Sequence, residues 1–274
     1  MEDIVRYRIG GLLFRGFGLA VLLFLALPIV AIIPLSFTSG VELIYPVPSY
    51  SLRWYDDFFT RPEWLMSFRN SMIVGAAVTV LATIVGTLGA LGLNRLSPAA
   101  QQVVSALIIL PMAIPVVVAG VAFFYFYARL GLAGSFTGLI LAHTTMAVPF
   151  VVISVRASLA GLNPDLARAA ASLGAPPHRV FLRVVMPVIL PGVLTGGLFA
   201  FAVSFDDVVI AMYLSGPEQI TLPRQMFAGV RENISPTVLA ASTMMVALSV
   251  VLMAATNILT KRARSLQAAA HRTD

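Results

Sequence analysis

Six apolar stretches, each long enough to cross a lipid bilayer, constrain this chain more than any other feature. They cover approximately residues 12–35, 72–93, 103–127, 136–155, 188–213 and 236–259. A helix rises about 1.5 Å per residue, so roughly 20 apolar residues span the ~30 Å hydrocarbon core of a membrane. Lipid offers no partners to backbone N–H and C=O groups, so such stretches fold as helices. The sequence therefore predicts an all-α membrane protein with six transmembrane helices, organised as one transmembrane domain over residues 1–274.

The composition agrees with this class and excludes several others. Hydrophobic residues make up 59% of the chain and charged residues 11%, whereas soluble domains carry about 25% charged residues. The chain has no cysteine, which excludes disulfides, thiolate metal sites and cysteine nucleophiles. The net charge of +6 comes from basic residues at the ends of apolar stretches. That distribution is typical of membrane topology, so we expect a lipid bilayer and not nucleic acid as the partner.

The distribution of basic residues also predicts the orientation of the chain. Cytoplasmic loops carry an excess of Lys and Arg. Twelve of the 18 basic residues fall on the side that holds both termini and residues 156–187, and six fall on the other side. The larger set is Arg6, Arg8, Arg15, Arg95, Arg156, Arg168, Arg179, Arg183, Lys261, Arg262, Arg264 and Arg272; the smaller set is Arg53, Arg61, Arg69, Arg129, Arg224 and Arg231. Both termini and residues 156–187 are therefore predicted to be cytoplasmic.

Residues 156–187 are too polar for a span and carry the signals of a helix, a turn and a second helix. Asn163 suits a helix cap, and Asp165 suits the positive end of the helix dipole. Gly174 suits the left-handed residue that ends such a helix. A second short helix is predicted to run into Pro187 and the fifth span.

Within this stretch, Arg168-Ala169-Ala170 is followed by Gly174 four residues after the last Ala, and by Val184-Val185-Met186-Pro187 after nine more. With this spacing the stretch resembles the EAA loop of the inner-membrane permease subunits of bacterial ABC importers. The motif of that loop has Glu-Ala-Ala, the glycine and Ile-x-Leu-Pro at the same positions. Arg168 replaces the glutamate of the motif, and Val184 and Met186 replace Ile and Leu.

The resemblance implies a MetI-like ABC importer permease fold and a role for the loop. In this family the loop couples the permease to a separate ATPase, so ATP and Mg²⁺ belong to partner ATPase subunits and this chain binds no cofactor. The coupling residues it implies are Asp165, Arg168, Ala169, Ala170, Gly174 and Pro187.

Two adjacent carboxylates, Asp206 and Asp207, lie in the second half of the predicted fifth span. A carboxylate in mid-membrane costs about 2.5–3.5 kcal/mol on insertion scales, so these side chains need a partner or a cavity. One interpretation is that they pair with a partner subunit or cap a broken helix. The other is that they line a path for a cationic solute.

The segment around these carboxylates contains Ser204-Phe205-Asp206-Asp207, Gly216-Pro217, Leu222-Pro223 and Ser235-Pro236. With these motifs it is similar to the C-type permease subunit of spermidine/putrescine importers. The resemblance implies a bacterial inner-membrane subunit that pairs with a second permease, two ATPase subunits and a periplasmic solute-binding protein. It also implies a translocation path that includes Ser204, Asp206 and Asp207, and a small cationic solute such as a polyamine.

Other functions are open or excluded to different degrees. An importer subunit for another solute, such as an amino-acid derivative, an opine or iron, would share the loop, and a secondary transporter would need no ATPase. An enzyme is not expected, because the chain has no phosphate-binding glycine loop and its three histidines are scattered. Asp206 and Asp207 would point about 100° apart on one helix, which excludes an aspartyl dyad.

His143 is predicted to be a buried hydrogen-bonding group, and Trp54 and Trp64 to lie at a membrane–water interface.

Overall fold

The computed structural model describes residues 2–232 and 235–270, and most of these residues are helical. Arg272, counted above, lies outside the described residues. The helices are α1 (Glu2–Ser36), α2 (Arg53–Thr60), α3 (Pro62–Leu93), α4 (Pro98–Ala113), α5 (Val116–Arg129), α6 (Phe136–Leu159), α7 (Pro164–Ser172), α8 (Pro177–Val180), α9 (Met186–Phe205), α10 (Val209–Leu214), α11 (Leu222–Glu232) and α12 (Pro236–Ala270). A π-helical turn, Phe181–Val185, joins α8 to α9, and a short 3₁₀ turn, Pro217–Gln219, precedes α11.

Five helical segments of the described chain are long and apolar enough to cross a membrane, and a sixth crossing is a bent pair. The five segments are Phe14–Ser36, Pro62–Leu93, Phe136–Leu159, Pro177–Phe205 and Pro236–Ile258. The bent pair is α4 with α5, whose axes differ by 101° across Ile114 and Pro115. Pro111 and Pro115 lie inside the third predicted span, where proline is expected to kink a helix, and the structure has a complete break there.

Contacts at the two ends of α6 show that the bent pair crosses the membrane domain. Arg156, in the last turn of α6, donates from Nη1 to Oγ of Ser105 on α4 at 2.9 Å. After α5, the backbone N–H of Gly134 donates to the carbonyl of Leu214 at 2.9 Å, just before α6 begins. The bent pair therefore starts near one end of α6 and finishes near the other. Counted as one broken span, the bent pair brings the segments of the described chain that could cross a membrane to the predicted six.

The chain divides into two compact units, Met1–Pro62 with Gly229–Ala247, and Glu63–Ala228 with Leu248–Asp274. In the second unit, small residues bring helices together. A Cβ added to Gly196 of α9 would lie 2.9 Å from Cα of Val151 on α6, and one added to Gly86 of α3 would lie 2.6 Å from Cβ of Val151. These distances leave no room for a larger side chain, as expected where van der Waals packing holds helices together in lipid. Buried members of this core are Val74, Val78, Leu139, Val151, Val155 and Ile189.

The loop before α11 is fastened to the first part of α3 in the second unit. Asn70 donates from Nδ2 to the carbonyls of Glu218 and Ile220, at 2.8 and 3.0 Å. Ser71 Oγ accepts from the backbone N–H of Leu222 at 2.7 Å. Helix α3 begins at Pro62, ten residues before the predicted span. Asn70 and Ser71 do not end the helix, because their side chains form hydrogen bonds with the loop instead of with their own backbone.

In the first unit, α2 is tied to the ends of its neighbours by side-chain hydrogen bonds. Ser36 Oγ lies 2.7 Å from the Tyr55 hydroxyl, and Asp57 Oδ2 accepts from Oγ1 of Thr237 at 2.6 Å.

Trp54 on α2 is only 5% exposed and Trp64 on α3 only 4%. Both indoles therefore pack against protein, and their position at a membrane–water interface stays a prediction.

Candidate functional site

The helix–turn–helix predicted for residues 156–187 is present, and α7 begins and ends as expected. Asn163 Oδ1 accepts from the backbone N–H of Asp165 at 3.0 Å. Gly174 has φ +80°, and its N–H donates to the carbonyl of Ala171 at 2.9 Å. The N–H of Ala175 donates to the carbonyl of Ala170 at 3.2 Å. These two bonds form a Schellman motif, which requires a left-handed residue at the position of Gly174.

The two faces of α7 have different surroundings. Ala167 and Ala171 line a cavity of about 420 Å³, which Leu91 and Leu159 close from the ends of α3 and α6. The opposite face is exposed, and Leu173 at its end is 88% exposed. An apolar side chain this exposed, beside a structured turn, is typical of a contact surface. The sequence interpretation missed Leu173, although a lone leucine in a polar stretch is a readable signal.

The other predicted coupling residues differ in their exposure. Arg168 Nη1 lies 3.2 Å from Oδ1 of Asp165, one turn earlier, and both side chains are largely exposed. An exposed pair of this kind contributes ~0–1 kcal/mol. Ala169 is exposed, Ala170 is half-buried, and Pro187 lies exposed at the beginning of α9.

The second arm of the hairpin is continuous with the fifth span. Pro177 to Phe205 form one unbroken helical rod of 29 residues, in which the π-helical turn replaces a break. At 1.5 Å per residue this rod is about 43 Å long. It therefore joins the hairpin directly to the paired carboxylates.

The fifth span does not continue through those carboxylates, which corrects the predicted range of 188–213. Helix α9 ends at Phe205, and α10 begins at Val209. Asp207 Oδ2 accepts from the backbone N–H of Ala211 at 3.1 Å and so caps α10. Asp206 is exposed, and its side chain makes no hydrogen bond or ion pair with a described residue. The helix ends before the two carboxylates, so the separation of about 100° expected for neighbours on one helix does not apply to them.

His143 of α6 connects Asp207 with the third predicted path residue, Ser204. The imidazole is 1% exposed, and its Nδ1 lies 2.9 Å from Oγ of Ser204. Nε2 lies 3.4 Å from Oδ2 of Asp207, and it makes no aligned hydrogen bond there or with another described residue. This distance is longer than the 2.7–3.2 Å that is usual for an N–H···O bond. The prediction of a buried, hydrogen-bonded His143 is confirmed, and Ser204 faces this ring.

A cavity of about 210 Å³ lies beside His143 and Asp207. The break in the third span contributes Ile114 and Val116 to its wall. Irregular backbone at membrane depth is tolerated where it lines a cavity, and here two helix breaks meet at one. His143 lies roughly two turns from the Phe136 end of α6, so this cavity is remote from the hairpin.

Comparison with known proteins places the chain in a family and beside several transport proteins. Residues 82–265 match the family described as binding-protein-dependent transport system inner membrane component. The spermidine/putrescine transport system permease protein PotC of Haemophilus influenzae is 29% identical over 248 residues, which are 90% of this chain and 96% of that protein. The putrescine transport system permease protein PotI of Escherichia coli K12 is 30% identical over 229 residues, covering 81% of each chain.

A further relative and a solved structure extend the comparison. The molybdenum transport system permease protein ModB of Mycobacterium bovis is 31% identical over 225 residues, which are 77% of this chain and 80% of that protein. A crystal structure of a bacterial alginate ABC transporter, in complex with an alginate pentasaccharide-bound periplasmic protein, has a TM-score of 0.71 at 15% identity. It covers 95% of this chain and 96% of the matched chain. The chain belongs to the family of binding-protein-dependent transport system inner membrane components, with the fold of ABC importer permeases.

Proposed function

We propose that this chain is the permease subunit of an ABC importer that moves a small cationic solute of the polyamine type across the bacterial inner membrane. The observation that carries this proposal is the exposed carboxylate of Asp206 at the break after α9. A carboxylate that no described residue neutralises favours a cation beside it. The names of the PotC and PotI relatives support the same class of solute.

The coupling role of residues 156–187 follows from the surface of the hairpin. Asp165, Arg168, Ala169 and Leu173 lie exposed around a rigid turn at Gly174, where a separate ATPase can receive them. ATP and Mg²⁺ bind that partner. The excess of basic residues puts the hairpin and both termini in the cytoplasm.

The remaining partners follow from the two carboxylates and the opposite loops. Asp206 is free to face the path or a second permease, whereas Asp207 is engaged within its own chain. A heterodimer with a second permease, two ATPase subunits and a periplasmic binding protein completes the importer. The loop that Asn70 fastens lies at the end of the second unit opposite the hairpin, so it is available to the binding protein.

A different solute is the main alternative, and charge argues against one form of it. ModB is named for molybdenum transport at a similar identity, so relatedness alone does not select the solute. An oxyanion would be repelled by the exposed Asp206. Amino-acid derivatives, opines and iron remain alternatives that a solute panel distinguishes. A secondary transporter would leave the exposed hairpin without a role.

Uptake and assembly measured together test this function. The complete importer, reconstituted with its binding protein, is compared with Asp206→Asn and Asp207→Asn variants for uptake of spermidine and putrescine. We expect Asp206→Asn to lower uptake at least tenfold while the partners still co-purify and basal ATP hydrolysis persists. Glu42→Gln, an exposed carboxylate of the first long loop, is the matched control.

Two results would contradict the proposal. Unchanged uptake in both Asn variants would remove the cation path. Loss of the second permease from the complex in Asp206→Asn would show instead that this carboxylate holds a partner subunit.

A further inference from the structure

The larger of the two cavities described above, which we call the hairpin cavity, lies behind the first arm of the hairpin. Its volume is about 420 Å³, within the ~300–1,000 Å³ that is usual for small-molecule sites. Its apolar lining, drawn from α3, α6 and the hairpin, includes Leu91, Leu159, Ala167, Ala171, Val180 and Phe181. Protein interiors hold few voids larger than a water molecule, so an apolar space of this size points to an occupant.

The hairpin cavity lies at the ends of two helices that can cross a membrane. Pro62–Leu93 and Phe136–Leu159 are both long and apolar enough to do so, and the cavity wall holds Leu91 of the first and Leu159 of the second. Arg95, which also lines the cavity, follows the end of α3 by two residues. The lining therefore changes from apolar to charged within about one helical turn. A bilayer changes in the same way where its acyl chains meet the headgroups.

The polar edge of the hairpin cavity is cationic. Arg95 is exposed and makes no ion pair with a described residue. The two segments that border the cavity, residues 94–102 and 156–187, carry five arginines and one carboxylate, that of Asp165. Asp165 already lies beside Arg168. This edge therefore attracts an anion that the two segments do not supply.

We propose that the hairpin cavity binds an anionic phospholipid of the inner leaflet, with one acyl chain against its apolar wall and the phosphate beside Arg95. Basic pockets between transmembrane helices on the cytoplasmic side suit such lipids, because that leaflet has a negative surface potential. A zwitterionic lipid offers the same chains without net charge, so the site selects the anionic one. The inference rests on the cytoplasmic orientation proposed above, and it does not depend on the transported solute.

The direction in which the cavity faces favours the membrane over the ATPase as the source of the occupant. Ala167 and Ala171 are one turn apart on α7 and share the face that points to the ends of α3 and α6. Asp165, Ala169 and Leu173 follow one another at the same spacing on the opposite, exposed face, which is available to the ATPase. An acyl chain in the cavity therefore packs against the back of the helix whose front meets the ATPase.

Photolabelling of the complete importer in phosphatidylcholine nanodiscs tests this site. The probe is phosphatidylglycerol with a diazirine on one acyl chain, and the comparison probe is phosphatidylcholine with the same chain. We expect the anionic probe to label residues 159–185 more strongly than the zwitterionic one does. Arg95→Gln should lower this labelling about fivefold, the factor expected for one basic residue at an anionic surface. Val180→Phe fills the cavity and should lower it at least as much. Excess inorganic phosphate should not compete, because it has no chain to bury.

Arg179→Gln and Val80→Phe are the matched controls. Arg179 is an exposed arginine of the hairpin that does not line the cavity, and Val80 is an exposed position of α3 outside it. Both controls should label as the unaltered complex does. Equal labelling by the two lipids would overturn the site, and so would equal labelling of Arg95→Gln and Arg179→Gln, which would indicate attraction by surface charge in general.

Two further outcomes separate this site from its alternatives. Labelling that appears only after the ATPase is removed would overturn the proposal, because it would show that the ATPase covers the cavity. Labelling that depends on Arg95 and Val180, in a complex that imports no polyamine, would support the lipid site and contradict only the proposed solute.

Discussion

Replacing Gly174 by alanine is predicted to weaken the attachment of the ATPase by an amount that the backbone alone determines. Gly174 has φ +80°, and a Cβ added there meets nothing within 4 Å. The substitution therefore adds no collision, and its cost is the left-handed conformation of an L-residue, about 1–2 kcal/mol. Each 1.4 kcal/mol is a factor of ten in affinity. If docking requires this turn, the affinity falls by up to roughly 5- to 30-fold.

A graded series makes this prediction specific. Asparagine adopts the left-handed region more readily than alanine, and a β-branched residue adopts it least readily. The expected order of ATPase affinity is Gly174, then Asn, Ala and Val, measured with purified permease and ATPase in detergent, with uptake following the same order. Gly92→Ala is the control, since its Cβ also meets open space within 4 Å but its φ is ordinary. Equal affinity across the series, or an equal loss in Gly92→Ala, would refute the docking argument.

Two further predictions concern packing and the outer loop. Gly196→Val puts a side chain where even a Cβ would lie 2.9 Å from Cα of Val151. We therefore expect α9 and α6 to separate and the detergent-solubilised subunit to lose at least ~1–3 kcal/mol of stability. An unchanged melting temperature would show that the two helices are less closely packed than this. Asn70→Ala leaves the carbonyls of Glu218 and Ile220 without their donor. This change should lower the stability of the folded subunit by about 1–3 kcal/mol and speed hydrogen exchange in residues 214–222. Unchanged exchange would mean that other contacts hold this loop.

The hairpin could be predicted in detail from sequence because its signals are local. A cap, a first-turn carboxylate and a glycine each satisfy backbone groups within a few residues, so short sequence patterns report them. The number of spans was predictable for a similar reason, since apolar length is a property of the chain itself. Asn163 and Gly174 take the predicted conformations.

The cavity could not be predicted in this way, because it depends on contacts between distant segments. The pairing of His143 with Ser204 and Asp207 joins α6 to the end of α9, and no pattern within one segment encodes it. Proline inside the third span indicated a kink but not a bend of 101°, since the angle depends on how α5 packs against α10. The predicted range of 188–213 passed the end of α9 at Phe205 because apolar residues resume at Val208. The alternative interpretation, that the carboxylates cap a broken helix, matches the bond that Asp207 accepts from Ala211.

The close packing of α6 against α9 has a mechanical consequence for the whole second unit. Where Gly196 lets the two backbones come close together, α6 and α9 cannot slide or tilt independently of each other. A displacement of the hairpin is transmitted along the ~43 Å helix from Pro177 to Phe205, because this helix has no break that could bend. Displacement must be taken up where helical hydrogen bonding stops, at residues 114–115 and 206–208, because hinges are a few residues that absorb changes in φ and ψ. Ile114 and Asp207, at these two breaks, line the cavity of about 210 Å³, so a displacement of the hairpin would change the shape of this cavity at the opposite end of the helix.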